Sequence, residues 1–170
     1  MDKEIVLDKI KSLAQAFNGE YTRATLVEYV YNSIIELTGM LKTFKDENPE
    51  EIDSYNALVF TAINGFGAVY THWVEANQGM PEVMVLPLGD FQFGNCLIDA
   101  WISSVKELRK LEMAENAQNK LESLYSDMQQ IKSSGDDGGG GGCFGVLILL
   151  ITGAASLIGL TCWGISHLFA

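Results

Sequence analysis

After Asp137 the sequence contains no aspartate, glutamate, lysine or arginine. The formal charge of -11, from 22 acids against 11 bases, therefore belongs wholly to the first 137 residues. The bases there form no block. The chain thus lacks the Lys/Arg surface that supplies most nonspecific affinity for nucleic acid, and its charge repels anionic lipid headgroups. No nucleic acid is expected as a partner; the negative charge suits solubility or a basic protein surface. The three cysteines, Cys96, Cys143 and Cys162, are too few and too separated for a disulfide framework or a cysteine-based zinc site. The opening residues Met1-Asp2-Lys3-Glu4-Ile5-Val6 are interrupted by charge, so no signal-peptide core is visible and a reducing compartment suits the charged part.

Behind the charged part lies a long apolar run. Residues 143–170 carry no Asp, Glu, Lys or Arg and include Val146-Leu147-Ile148-Leu149-Leu150-Ile151. A spanning helix needs roughly 20 apolar residues to cross about 30 Å of hydrocarbon. The stretch 144–169 meets that length, and Phe144 and Trp163 fall where aromatic rings prefer the two interfaces. A C-terminal transmembrane tail anchor over 143–170 is expected. Lys106, Arg109, Lys110, Lys120 and Lys132 all precede the span, which favours a cytoplasmic N-terminal head, at a bacterial inner membrane or a eukaryotic secretory-pathway membrane. Within the span, Gly145, Thr152, Gly159 and Ser166 recur every seven positions, with Ala155 on the same side four residues before Gly159. Small residues let helix backbones approach closely in lipid, so this stripe is the expected packing face of a homo-oligomer, set against the bland fact that small residues are common in membrane helices.

Residues 133–142, Ser-Ser-Gly-Asp-Asp followed by five glycines, read as a flexible linker. No Gly-Lys-Ser/Thr follows the glycines, so they do not form a phosphate loop. The head, 1–132, carries helical periodicity throughout, and the expected fold class is all-α, an acidic bundle of about four helices. The first covers 2–17 with Ile5, Ile10, Leu13, Ala14 and Phe17 inward, stopped by Asn18-Gly19. The second covers 22–45 with Leu26, Val30, Ile34, Leu37, Met40, Leu41 and Phe44 inward. Asn48-Pro49-Glu50-Glu51 predicts the cap and start of the third, whose face is Ile52, Tyr55, Val59, Ile63, Phe66, Tyr70 and Trp73. Gly65 and Gly67 mark either a close helix contact or a kink. The fourth is expected to run unbroken from an Asp90 cap through Trp101, Leu108, Leu121 and Met128 to Ile131, thinned in the middle by Ala114 and Ala117.

Between the third and fourth helices, 80–89 is unusually apolar for a connection. It reads as a short edge strand or a lid over the core, or else as an exposed partner-binding patch formed by Met80, Val83, Met84, Val85, Leu86 and Leu88. Chemistry is harder to find. His72 and Glu75 are one helical turn apart, but the head has no second histidine to build a two-metal bundle site. Cys96 has no histidine near it in sequence and reads as a structural thiol. Asp46, Glu47, Glu50, Glu51 and Asp53 surround a helix start, where the helix dipole favours negative charge without any metal. No catalytic residue, metal ligand or cofactor-binding residue is assigned. The expected partners are the lipid bilayer, further copies of the chain and a protein partner. The expected function is a non-enzymatic membrane-tethered adaptor, scaffold or regulator, with a membrane-perturbing, pore-forming or holin-like effector as the alternative.

Overall fold

The computed structural model describes residues 1–19, 21–76, 87–88, 91–92 and 97–136. The described part is an all-helical bundle of five α-helices: α1 (Lys3–Ala14), α2 (Arg23–Glu47), α3 (Ile52–Ala76), α4 (Ile98–Leu108) and α5 (Glu115–Asp136). A single 3-10 turn, Ala16–Asn18, follows α1. Two-residue strands β1 (Pro87–Leu88) and β2 (Phe91–Gln92) pair antiparallel, Pro87 opposite Gln92 and Leu88 opposite Phe91. Met1–Asp136 forms one compact unit. Among the described residues no helix is long and apolar enough to cross a membrane. The expected anchor at 143–170 lies outside the described residues, as does most of the expected linker, of which 133–136 belong to α5.

Helix starts follow from local side-chain caps. Asp2 accepts a hydrogen bond from the Glu4 backbone N–H at 3.1 Å. Thr22 and Thr25 satisfy each other's backbone N–H groups in a reciprocal capping box at the head of α2, at 3.2 and 2.9 Å. Asn48, by contrast, is not the cap of α3. Its side-chain amide donates to the Phe44 carbonyl at 2.9 Å and so closes the C-terminus of α2. The Glu51 N–H donates to the Asn48 carbonyl at 3.0 Å, which makes 48–51 a tight turn, and α3 begins after Glu51. Proline suits the second position of such a turn as well as the first turn of a helix, so the Asn-Pro signal is ambiguous until both neighbouring helix ends are known.

The expected fourth helix is two helices. The chain turns at 109–114 and α5 returns along α4: Arg109 at the turn pairs with Glu122, and Lys132 reaches back to Asp99 in the first turn of α4 at 2.6 Å. No glycine or proline marks this reversal. The gain is in burial. Leu111, Leu121, Leu124 and Met128 become buried, whereas a straight helix would carry its second half into water at roughly 1.5–3 kcal/mol for each large apolar side chain. The turn is fastened to α2 and α3 at one corner. There the Tyr55 hydroxyl donates to the Glu112 carbonyl at 2.7 Å, and Lys45 pairs with the Glu112 carboxylate at 2.5 Å. Burial, with the Glu112 charge adding to it, pushes the Tyr55 phenol up to about 12.

The core faces of α2 and α3 are those the periodicity predicts, with Ile52 exposed at the start of α3. In α1 the buried stripe is Val6, Ile10 and Leu13, and Ile5 is 55% exposed. The 3-10 turn then buries Ala16 and swings Phe17 outward to 38% exposure. At the centre, Trp101 of α4 is fully buried and touches three rings of α3: Phe66 at 5.6 Å, Tyr70 at 5.4 Å and Trp73 at 5.5 Å between centroids. The two α3 glycines serve close contacts, and the helix runs through both without a break. A Cβ on Gly65 would lie 3.3 Å from the Ala14 Cβ of α1, and one on Gly67 would lie 3.2 Å from Leu124 Cδ1 of α5.

These two contacts differ in how easily they yield. The Ala14 Cβ is fixed to the α1 backbone, while the Leu124 tip can rotate. Gly65→Val is expected to destabilise the bundle by roughly 1–3 kcal/mol through overpacking. Gly67→Ala is expected to stay within about 1 kcal/mol of the parent, because improved helix propensity offsets the Leu124 adjustment. Thermal unfolding of the two variants measures this, and equal losses would contradict the assignment of Gly65 as the less yielding contact.

Candidate interaction surface

At the corner where α1 gives way to α2, against the last turns of α3, the chain builds a cavity of about 270 Å3. The turn begins with the Asn18 and Gly19 N–H groups donating to the Gln15 and Ala16 carbonyls at 2.9 and 3.1 Å. Gly19 is required for space rather than for its backbone angles, since a Cβ there would collide with Cε2 of Tyr21. The tyrosine ring lies over the glycine and forms one wall. It stacks in turn on Tyr29, 5.2 Å away, whose hydroxyl is 3.0 Å from Ser12 Oγ of α1. The opposite wall is Phe17, tilted on His72 of α3 at 4.7 Å between ring centroids. Trp73 and Thr22 also line the cavity. Phe17 and Tyr21 remain 38% and 42% exposed, so two large rings lie at the surface.

The sequence-predicted site residues are distributed differently. Gly145, Thr152, Ala155, Gly159 and Ser166 lie outside the described residues, as do Met80, Val83, Met84, Val85, Leu86 and Cys96. Leu88 is in β1, paired with Phe91. His72 and Glu75 are both on the exposed side of α3, with His72 against Phe17. Among the described residues no group of three His, Cys, Asp or Glu side chains gathers at a metal-binding distance. Within the acidic run, Glu47 pairs with the N-terminal ammonium of Met1, and Asp53 lies in the first turn of α3.

The aromatic cavity was not legible as a site, because Phe17 falls in register with the α1 core stripe and Asn18-Gly19 reads only as a helix stop. The available signal was the alternation Phe17-x-Gly19-x-Tyr21, a glycine between two rings with room for one of them to fold over it. Charge around the bundle is strongly one-sided. Among the described residues six bases, Lys9, Lys11, Lys45, Arg109, Lys110 and Lys132, are held in ion pairs with carboxylates. Arg109 adds a face contact with Tyr125, its guanidinium 3.9 Å from the ring centroid. With 22 acids against 11 bases, the carboxylates left over dominate the field of the head.

No family model, no curated protein and no solved structure matches this chain. The functional reading therefore rests on its own residues.

Gly19→Ala tests the built wall. The added methyl cannot coexist with the Tyr21 ring in its observed place, so the ring is expected to leave the cavity and lose its stacking on Tyr29. The tyrosine ring-proton shifts in NMR should move toward solvent-exposed values, while the melting temperature changes little because both rings are partly exposed. Unchanged ring shifts would mean that Gly19 does not hold this wall open.

Proposed function

We propose that this chain is a tail-anchored, membrane-tethered interaction protein, an adaptor, scaffold or regulator whose acidic helical head works in the cytoplasm beside the bilayer. The carrying observation is the partition of charge: every Asp, Glu, Lys and Arg precedes position 138, and 143–170 is an unbroken run without one. A run of that length and composition is favoured in hydrocarbon, and a head of net charge -11 is favoured in water. A composition of five successive glycines at 138–142 suits capture of a protein partner better than rigid transmission of a signal from the membrane. Self-association is assigned to the anchor, through the face bearing Gly145, Thr152, Ala155, Gly159 and Ser166. Lipid tails are as apolar as leucine, so helices there gain by close packing rather than by hiding apolar surface.

Two measurements test this. Full-length protein should stay with membranes through alkaline extraction and enter solution only with detergent; release by alkali alone would remove the anchor. In a membrane two-hybrid or cross-linking assay of the segment 143–170, Gly159→Ile should lose most of the association signal and Leu160→Ile should keep it. Equal signals from the two would show that the seven-residue spacing plays no part in packing.

A further inference from the structure

An open cavity lies between the Ala16–Asn18 turn, α2 and α3. Each exposed ring has a ring neighbour: Tyr21 stacks on Tyr29, whose hydroxyl lies 3.0 Å from Ser12 Oγ, and Phe17 tilts on the exposed His72. Aromatic side chains have few rotatable bonds and lose little freedom when a ligand arrives, which is one physical basis of binding hot spots rich in tyrosine and tryptophan. Its volume of about 270 Å3 suits one large side chain rather than a drug-sized ligand. Among the described residues the lining contains no carboxylate and no Lys or Arg. The surroundings are different. Glu75 is exposed next to the lining residue Ala76, and the chain as a whole carries an excess of eleven acids, 22 less 11.

We propose that the cavity walled by Phe17, Tyr21 and His72 receives one large apolar side chain, aromatic or aliphatic, from a basic segment of a protein partner. The pocket supplies the anchor contact and the acidic field supplies steering and orientation, because charge complementarity raises the association rate more than it raises affinity. This rests on the reading of the chain as an interaction protein and names where its partner docks. It also gives a reason for leaving Phe17 and Tyr21 at the surface of a bundle that buries Trp73 and Trp101 completely.

The test uses the full chain, isotopically labelled, in detergent micelles. The probe is a lysine-rich peptide with one central phenylalanine, and the comparison peptide carries alanine at that position. The phenylalanine peptide is expected to bind about tenfold tighter or more than the alanine peptide, since it alone fills the pocket. Its binding should shift the Tyr21 and His72 resonances and weaken as salt rises. Phe17→Ala and Tyr21→Ala are expected to erase the difference between the peptides. Ile35→Ala, at another exposed apolar position, should leave it intact. If Phe17→Ala proves unfolded by circular dichroism, Gly19→Ala serves in its place, because its added methyl collides first with the Tyr21 ring, and it too is expected to erase the difference between the peptides. Equal binding of the two peptides, or a full preference retained in Tyr21→Ala, overturns the proposal and leaves only diffuse attraction to an acidic surface. The outcome is separable from that of the tether: phenylalanine-dependent binding by a chain that alkali extracts supports the pocket while the anchor fails, and membrane retention without that preference rejects the pocket alone.

Discussion

The bundle is organised around one buried ring. Trp101 brings α4 onto α3, with Phe66, Tyr70 and Trp73 around it at 5.4 to 5.6 Å. Burying an indole of roughly 150–250 Å2 stabilises the fold by about 4–6 kcal/mol. Against that stands its Nε1–H, which is buried and has no acceptor among the described residues, a penalty of about 1–3 kcal/mol. Packing wins by a margin large enough to explain why an indole rather than a phenyl ring with no donor is tolerated there. The placement of α4 then decides the rest. With α4 fixed on α3 and α2, the chain beyond it has an apolar stripe and nowhere to bury it except by reversing. The reversal at 109–114, held by Arg109 to Glu122 and by Tyr55 and Lys45 to Glu112, is the consequence.

Close approach is the second condition. The α3 helix touches α1 at Gly65 and α5 at Gly67, so it is gripped by two other helices besides the ring cluster. The last turns of this helix carry His72 and Trp73 to the surface cavity. The same core that makes the head a stable unit therefore positions the aromatic corner. Charge has the opposite distribution: Lys9, Lys45, Arg109 and Lys132 pair with carboxylates of other elements, and the acids outnumber the bases two to one. An inert interior, a negative surface and one exposed aromatic corner form a division of labour consistent with binding.

Periodicity made the larger part of this fold readable. The stripes of α2 and α3 have long uninterrupted spacing of threes and fours, and nearly every residue assigned inward from them is buried. The failures have separate physical causes. In α1, Ile5 and Val6 compete for one inward position, and the short helix holds too few turns to decide between them. Asn48 can serve the end of one helix or the start of the next, and only the tertiary arrangement gives it to α2. The break between α4 and α5 carries no local signal, since what drives it is the burial of Leu121, Leu124 and Met128 on distant partners. The aromatic corner was hidden by its own periodicity, because Phe17 continues the α1 pattern until the 3-10 turn rotates it out.

A core closed by Trp101 within Met1–Asp136 predicts that this unit folds independently of the apolar run at 143–170. Thermal unfolding of residues 1–136 in buffer, compared with the head transition of the full chain in detergent micelles, tests that independence. Near-ultraviolet dichroism reports on the tryptophan cluster in both. A single cooperative transition is predicted in each, with midpoints within about 3 °C of one another, less than roughly 1 kcal/mol for a domain of this size. A head that without its tail is unfolded, or that melts without cooperativity, would contradict it.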